Sequence, residues 1–399
     1  MHQENSVDLR LSERVDRVKP SPTMAVTAKA AELKRAGRDV IGLGAGEPDF
    51  DTPEHIKAAA IEAIRAGRTK YTAVDGIVEL RQAICDKFQR DNGIEYQPGH
   101  VLVSCGAKQS IYNLAVALLG PGDEAIVPAP YWVSYPDIVL LADATPVIVP
   151  AGPEQQFKIT PQQLADSITP RTRLLILNSP SNPTGMAYSR EELAALAEVL
   201  REYPQVITAT DDIYEPIFWG SEPFCTLLTA APDLHDRVVT INGVSKSYAM
   251  TGWRIGYAAG PAKLISAMKK IQGQSTSNPT SISQYAALAA LTGDQSCIGE
   301  MTTAFRARHD WLLAALNAVP GFRCLPADGA FYAFPDVSDA ISSLDGVSDD
   351  TQFAEYLLEK AGVAVVPGAA FGAPGHVRLS FACALETLQK AVERIAGSL

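Results

Sequence analysis

Cysteine and histidine are both rare in this chain, and neither is grouped. The six cysteines include no CxxC pair and the six histidines are equally dispersed, so the residue spacing of a zinc site is missing. Scattered cysteines of this kind are typical of reduced thiols in a reducing compartment. The formal net charge of −11 argues against the basic surface of a nucleic-acid-binding protein.

Long apolar runs are also missing from the sequence. No stretch approaches the length that is needed to cross a membrane. The first twenty residues, MHQENSVDLRLSERVDRVKP, are polar and carry acidic side chains, which argues against a signal or transit peptide. We therefore expect a cytoplasmic protein that binds neither nucleic acid nor membrane.

Short apolar runs separated by amphipathic segments make up the middle of the chain. Seven runs have the length and composition of buried strands: VLVSCG, EAIVPA, TPVIVPA, RLLILNSP, VITATD, RVVTING and RIGYAAG. Helical patterns lie between several of them, at residues 108–119, 190–203 and 261–273. Apolar strands that alternate with helices predict a mostly parallel sheet covered on both faces, and hence a three-layer α/β fold.

The pattern changes after about Thr292 and predicts a second, smaller α+β domain. A long amphipathic helix at about residues 297–318 is followed by FRCLPADGAFYAFP, VAVVPG and VRLSFA, with two further helices. Residues 338–350 are the most loop-like segment of this region. We predict three segments: an N-terminal arm and part of the small domain (1–52), a large cofactor-binding domain (53–295) and a C-terminal small domain (296–399).

One glycine-rich segment, VIGLGAGEP at residues 40–48, superficially resembles a dinucleotide-binding turn. Its spacing is GxGxG and a proline follows, so no helix N-terminus opens there for a pyrophosphate. We therefore reject a nicotinamide cofactor.

Polar side chains follow several of the predicted strands, at the edge where parallel α/β sheets bind their ligands. Gly106, Ala107 and Lys108 lie at a strand-to-helix junction, whose free amides and helix dipole favour a phosphate. Trp132 and Asn182 lie in loops after two other strands. Asp211 ends a buried strand, where a carboxylate needs a partner, and Tyr214 follows it. Taken alone, most of these residues are more often structural than functional.

The stretch NGVSKSYAMTGWRIGYAAGP decides between the two interpretations. It contains Lys246 and Arg254 but no carboxylate, so the two cations are arranged for an anion from outside the chain. The glycines at positions 252 and 256 let the backbone approach closely beside Arg254.

Together these groups match pyridoxal 5′-phosphate one for one, including an aldehyde that a lysine can bind as a Schiff base. The matches are Arg254, Ser245 and the 106–108 turn for the phosphate, Asp211 for the pyridine nitrogen, Tyr214 and Asn182 for the phenolic oxygen, Trp132 for the ring and Lys246 for the aldehyde.

The whole chain resembles the class I (fold type I) aminotransferases, and most closely the bacterial Iβ branch of aspartate aminotransferases. The matching motifs are GAGEPDFDTP, TKYTAVDGIVELR, GAKQ, PYWVSYP, NSPSNPTG, TDDIYE, GVSKSYAMTGWRIGYAAGP, GAFYAFP and VRLSFA. The resemblance implies ping-pong transamination in a homodimer whose two subunits share their active sites. One departure is Gly243, where many members have the first serine of S-x-S-K, so one phosphate hydrogen bond is absent from the pattern.

The resemblance also implies a role for each matching residue. Lys246 is the Schiff-base lysine and general base, Asp211 holds the pyridinium, and Tyr71 reaches the phosphate of the neighbouring subunit. Arg378 binds the substrate α-carboxylate with help from Asn182 and from the backbone N–H of Gly46.

The substrate is less sharply indicated than the reaction. By resemblance, Lys108 lies near the distal carboxylate of an aspartate-like substrate, Ser21 and Thr23 close the entrance, and Lys19 occupies a position linked to prephenate or arogenate. Solvated flanking positions for Lys19 and Lys108 are the plainer interpretation. An aromatic or broad-specificity aminotransferase and a C–S β-lyase remain as alternatives, because a fold does not fix a reaction. A transcription regulator with an aminotransferase-like domain is a further alternative, but the N-terminus has no room for its basic extension.

Overall fold

A computed structural model describes residues 9–399. These residues form twelve strands: β1 (Ile41–Gly42), β2 (Val101–Ser104), β3 (Glu124–Ala129), β4 (Thr145–Pro150), β5 (Thr172–Asn178), β6 (Ile207–Asp211), β7 (Val238–Gly243), β8 (Gly256–Ala259), β9 (Tyr332–Ala333), β10 (Val363–Ala364), β11 (Val366–Pro367) and β12 (Val377–Ser380).

The same residues form fifteen α-helices, supplemented by short 3₁₀ turns and one π-helical turn. The helices are α1 (Glu13–Asp16), α2 (Pro22–Arg35), α3 (Glu54–Arg65), α4 (Val78–Asn92), α5 (Ala107–Leu118), α6 (Ser134–Leu141), α7 (Pro161–Ser167), α8 (Arg190–Glu202), α9 (Leu227–Ala230), α10 (Ala262–Ser275), α11 (Ser281–Thr292), α12 (Ser296–Asn317), α13 (Ser338–Ser342), α14 (Asp350–Tyr356) and α15 (Leu385–Ala396).

The centre of the molecule is a seven-stranded sheet with the order β2-β8-β7-β6-β5-β3-β4. All seven predicted apolar runs form its strands, and every neighbouring pair is parallel except the two that involve β8, which is antiparallel to β2 and β7. Strands β2, β6 and β7 are almost entirely buried because helices cover both faces of the sheet. The predicted α/β class with a mostly parallel sheet is confirmed.

The sheet brings its polar strand ends to one edge. The pairing of β5 with β6 places Asn178 opposite Asp211, and β7 ends beside them at Gly243. Strand β2 runs through Ser104 into α5, whose first residue is Ala107. Residues that lie far apart in the chain therefore meet at the carboxyl edge, as expected for parallel strands.

The C-terminal part of the chain forms smaller sheets on a separate apolar core. Strands β11, β12 and β9 make an antiparallel sheet, and β1 pairs in parallel with β10. Phe305 of α12 and Ile395 of α15 belong to this core, which also includes Leu43 from the N-terminal part. This packing is consistent with the predicted contribution of residues 1–52 to the small domain, although the boundaries at 52 and 295 stay predictions.

The loop predicted for residues 338–350 is wrong at both ends. Residues Ser338–Ser342 form the short helix α13, because Ala340 and Ile341 bury apolar surface that the polar sequence around them conceals. Asp350 is already the first residue of α14, whose N-terminus is capped by the Asp349 side chain. Only the stretch between these helices is a loop.

The segment VIGLGAGEP contributes β1 and then runs without a helix until α3 begins at Glu54. Its glycines therefore do not open a helix N-terminus. Within the part of the chain that the structure describes, no helix is long and apolar enough to span a membrane. Residues 9–399 also contain no group of three or more His, Cys, Asp or Glu side chains that could hold a metal ion.

Candidate active site

A cavity of about 500 Å³ opens at the carboxyl edge of the central sheet. It reaches from the large-domain strand ends to β12 and to the start of α2. Its wall includes thirteen of the residues that the sequence predicted for the site: Ser21, Thr23, Gly46, Ala107, Lys108, Trp132, Asn182, Asp211, Tyr214, Ser245, Lys246, Arg254 and Arg378.

The Lys246 amine lies inside this cavity and has no ion-pair partner among residues 9–399. Its Nζ donates a 2.5 Å hydrogen bond to the carbonyl oxygen of Gly46 and lies 5.9 Å from the centre of the Tyr214 ring. Burial lowers the pKa of Lys246 to about 8, although the nearby Glu47 carboxylate opposes that shift. At neutral pH an appreciable fraction of the amine is therefore unprotonated and able to act as a nucleophile or base.

The Asp211 carboxyl is buried at the end of β6, and only one of its two oxygens accepts a hydrogen bond from the described residues. Its Oδ2 accepts a 2.6 Å hydrogen bond from the Tyr135 hydroxyl, whereas its Oδ1 is buried without a partner among the described residues. Burial raises the pKa of Asp211 to about 6, against the opposing effects of Tyr135, the Ile213 amide and Lys246. A protonated ring nitrogen is the kind of group that would satisfy the free oxygen.

Arg254 stands over the N-terminus of α5 in a left-handed backbone conformation, with φ of 58°. Its guanidinium donates to the carbonyl oxygens of Thr251 (2.8 Å) and Cys105 (3.3 Å). Gly106 has a φ of 84°, which other residues rarely adopt, and a Cβ there would lie 2.2 Å from this guanidinium, so glycine is favoured at this position. The arginine and the first amides of the helix together form a cradle for a phosphate.

Arg378 is buried on β12, with 1% of its surface exposed. It donates to Asn182 Oδ1 (2.8 Å) and to the carbonyl oxygen of Gly44 (2.6 Å), while its Nε is buried without a partner within residues 9–399. Its guanidinium lies 4.5 Å from the centre of the Tyr332 ring. Burial lowers the pKa of Arg378 because it disfavours the charged guanidinium, and an anionic ligand beside the guanidinium would offset that cost.

Four cations therefore share one cavity: Lys108, Lys246, Arg254 and Arg378. Within the described chain, none of the four has a carboxylate within 4 Å. Burying charges without partners is costly unless a ligand supplies the opposite charge. The cavity is consequently built for a ligand or ligands with several anionic groups.

The comparison with protein families agrees with this geometry. The family described as aminotransferase class I and II matches residues 38–395. The chain belongs to this family. The aminotransferase is also 59% identical to the aspartate/prephenate aminotransferase of Nitrosomonas europaea, over 98% of this chain and 100% of that one.

Solved structures support the assignment. The aspartate aminotransferase from Rhizobium meliloti superposes with a TM-score of 0.94 at 47% identity, covering 98% of both chains. The aspartate aminotransferase from Thermus thermophilus with maleate superposes with a TM-score of 0.92 at 46% identity, covering 98% of this chain and 100% of that one. The fold and the enzyme class of this aminotransferase follow from these similarities.

The family implies dependence on pyridoxal 5′-phosphate, and the residues of this aminotransferase fit that group. The free Oδ1 of Asp211 suits its ring nitrogen, and the glycine-lined cradle at Arg254 suits its phosphate. The Lys246 amine suits its aldehyde.

Three predicted site residues lie outside the cavity wall. Gly106 lies directly behind it, against Arg254. Lys19 is exposed beside Asp137 of α6, where its positive charge opposes the rise in the carboxyl pKa that burial causes. Tyr71 is 91% exposed in the loop between α3 and α4.

The structure also adds residues that sequence reasoning missed. Tyr135 bonds Asp211, Tyr332 bonds Tyr214, and Glu47 accepts a 3.0 Å hydrogen bond from Thr251. All three lie inside motifs that had been recognised, PYWVSYP, GAFYAFP and GAGEPDF. Tyr135 follows Trp132 by three residues at the start of α6. This helical spacing was the one sequence signal that could have pointed to Tyr135 as a site residue.

Proposed function

We propose that this aminotransferase binds pyridoxal 5′-phosphate and transfers the amino group of L-aspartate to 2-oxoglutarate in ping-pong fashion. Prephenate as acceptor and arogenate as donor are the proposed second substrate pair. The observation that carries the proposal is one cavity that holds Asp211 together with Lys108, Lys246, Arg254 and Arg378, four cations that have no carboxylate within 4 Å in the described chain. The names of the relatives from N. europaea and T. thermophilus support the choice of substrates.

Lys246 is proposed as the residue that moves the proton. When bound, pyridoxal phosphate supplies an aldehyde for amines and a ring that takes up negative charge. Lys246 would hold that aldehyde through its Nζ in the resting enzyme and would accept the α-proton of the substrate at the same atom during turnover. Its lowered pKa of about 8 leaves part of the free amine ready to accept a proton near neutral pH.

Asp211 and Arg254 are proposed to hold the two ends of the cofactor. Asp211 keeps the ring nitrogen protonated and is itself positioned by the Tyr135 hydroxyl. Arg254, Ser245 and the amides at the start of α5 hold the phosphate, while the indole of Trp132 covers the ring. Anchoring both ends fixes the reacting carbon relative to Lys246, which is the positioning that catalysis requires.

The substrate carboxylates are assigned to two different cations. Arg378 receives the α-carboxylate, because its Nε is free and Asn182 already orients its Nη1. Lys108 receives the distal carboxylate, since its Nζ lies over the Trp132 ring at 4.8 Å and has no carboxylate partner in the described chain. Thr23, whose Oγ1 is buried and has no hydrogen-bond partner among residues 9–399, lines the entrance. Lys19, two residues before Ser21, is the proposed contact for prephenate.

Lys108→Met tests the function and the substrate together. Loss of a charge-assisted hydrogen bond worth about 1.5–3 kcal/mol should lower kcat/KM for aspartate about tenfold to hundredfold. Activity with phenylalanine should be nearly unchanged, because that substrate has no distal carboxylate. The measurement is steady-state kinetics of the wild type and the variant with aspartate, glutamate, phenylalanine and prephenate.

Lys270→Met, on the exposed face of α10, is the matched control and should change none of these constants. Equal losses for every substrate in Lys108→Met would remove the dicarboxylate assignment. Wild-type protein that releases pyruvate without an added oxoacid would instead support the C–S β-lyase alternative.

We also propose that Tyr71 completes the phosphate site of a neighbouring subunit. Tyr71 is almost fully exposed, yet its loop is held firmly: Gln284 donates to Thr72 Oγ1 at 3.0 Å and Gln272 donates to the Val74 carbonyl oxygen at 2.8 Å. A rigid loop that presents an exposed aromatic side chain suits a contact with a second copy of the chain.

Subunit exchange tests this role. Suppose that Tyr71 contributes to the active site of the neighbouring subunit. A heterodimer of one Tyr71→Phe subunit and one Lys246→Ala subunit then has one site that lacks both Tyr71 and Lys246 and one site that contains both. An equimolar mixture should then recover about a quarter of wild-type activity, because half of the dimers have one intact site. The activity of the mixture is compared with the activity of each unmixed variant, at a cofactor concentration that does not saturate the Tyr71→Phe protein. A mixture no more active than the average of the unmixed variants would contradict the shared site.

A further inference from the structure

Two tyrosine hydroxyls form an isolated pair in the wall of the cavity. The hydroxyl oxygens of Tyr214 and Tyr332 are 2.8 Å apart, and their rings meet edge to face at 81°. Both residues are buried and both line the cavity. Within residues 9–399, neither hydroxyl has another hydrogen-bond partner.

The position of the pair is fixed by its surroundings. A Cβ at Gly46 would lie 2.8 Å from the Tyr332 oxygen, so the glycine leaves just enough room for that hydroxyl. The Tyr332 ring also packs against Phe331, with ring centres 4.8 Å apart, and beneath the Arg378 guanidinium. Tyr332 therefore connects the proposed carboxylate site with the proposed cofactor site.

The number of protons on the two hydroxyls limits the hydrogen bonds that the pair can donate. Two hydroxyls carry two protons, and their mutual hydrogen bond uses one. The hydroxyl that accepts this bond keeps its own proton free for a ligand in the cavity. The direction of the bond thus decides which tyrosine faces the ligand as a donor.

The nearby arginine favours Tyr332 as the donor within the pair. Burial raises the pKa of both hydroxyls, but at Tyr332 the Arg378 charge is the first effect that opposes the rise. At Tyr214 the Arg378 charge is outweighed by the neighbouring Tyr332, whose charge and hydrogen bond both add to the rise in the pKa. The Arg378 guanidinium lies 4.5 Å from the centre of the Tyr332 ring and favours negative charge on that residue, so the arrangement in which Tyr332 donates and the Tyr214 proton stays free is the favoured one.

We propose that Tyr332 is a positioning residue that donates to Tyr214 and thereby strengthens Tyr214 as the donor to the phenolic oxygen of the cofactor. The inference rests on the proposed binding of pyridoxal 5′-phosphate. A hydroxyl that accepts a hydrogen bond becomes a stronger donor through its own proton, because the two bonds polarise one another. Tyr332 acts on the cofactor only through Tyr214.

Tyr332→Phe removes one oxygen atom and keeps the ring that supports Arg378. A donor to the phenolic oxygen stabilises negative charge there, so weakening it should raise the pH at which the bound cofactor changes its visible absorption. We expect a rise of up to about one pH unit in Tyr332→Phe and a rise at least as large in Tyr214→Phe. The measurement is a spectrophotometric pH titration of each loaded protein without substrate.

The double variant separates a relay from a direct contact. If Tyr332 acts through Tyr214, the doubly substituted protein should titrate at the same pH as Tyr214→Phe alone. Tyr188→Phe is the matched control, because it removes a buried tyrosine hydroxyl that only accepts from the Ile159 amide, and it should not shift the titration. Additive shifts, or no shift in Tyr332→Phe, would overturn the inference. Wild-type protein with no visible band after incubation with the cofactor would instead overturn the proposed function.

Discussion

Alanine at position 246 should reduce kcat by about 10⁴-fold or more, which is the largest loss that we expect from any single substitution. Lys246 combines two tasks in the proposed function, since it binds the cofactor aldehyde and moves the α-proton. The fold should be unaffected, because the Lys246 amine has one hydrogen bond, to the Gly46 carbonyl oxygen, and no ion pair in the described chain. Steady-state turnover of aspartate with 2-oxoglutarate measures the loss.

Chemical labelling gives an independent measurement of the same residue. Borohydride treatment of the loaded wild type, followed by peptide mapping, should leave the cofactor on Lys246 and on no other lysine. Lys263→Ala, at an exposed position of α10, is the matched control and should keep full activity. Label on a different lysine, or high activity in Lys246→Ala, would contradict the assignment.

The pH dependence follows from the same amine. Burial lowers the pKa of Lys246 to about 8, so the fraction of the amine that is unprotonated and able to act as a base increases as the pH rises through that value. Arg254 and Arg378 contribute to this lowering, whereas Glu47 and Asp211 oppose it. Burial is the largest of these effects, so the two arginines only add to a lowering of the pKa that burial itself causes.

The sheet could be predicted from sequence because its signal is local. Each of its seven strands is a short apolar run, and burial on both faces makes the run continuous. The helix at 297–318 was placed within one residue at either end, since its amphipathic pattern extends over six turns. Residues 338–342 were missed because one short turn with two buried apolar side chains gives too little periodicity to detect.

The site was predictable where strand ends carry polar residues, and less so where partners come from distant segments. Asp211 and Lys246 follow strands that meet at one edge, so topology alone brings them together. Tyr332 reaches Tyr214 across 118 residues of sequence and from a different sheet, and no local pattern reports such a contact. The role proposed for Tyr71 requires a second subunit, and no contact within the described chain reports such a role.

Arg378→Ala should impair every substrate alike, because all amino and oxo acids in the proposed reaction carry the α-carboxylate. Truncating one member of a buried, hydrogen-bonded charge pair costs about 2–5 kcal/mol, which corresponds to a roughly 30-fold to several-thousand-fold loss in kcat/KM. The carboxylate is bound in the ground state as well as in the transition state, so much of the loss should appear as a higher KM. The measurement is kinetics with aspartate, glutamate, phenylalanine and prephenate.

Arg378→Lys separates charge from geometry at the same position. A lysine keeps the positive charge but cannot make two parallel hydrogen bonds to a carboxylate, so it should recover only part of the lost kcat/KM. Arg323→Ala, which removes an exposed arginine paired with Asp336 and Asp339, is the control for loss of an arginine and should leave kcat/KM unchanged. Alanine at 378 also leaves Asn182 and the Gly44 carbonyl oxygen without their donor, so thermal unfolding of each variant must be measured alongside. A loss confined to aspartate and glutamate would place Arg378 at the distal carboxylate instead, and the assignments of Arg378 and Lys108 would have to be exchanged.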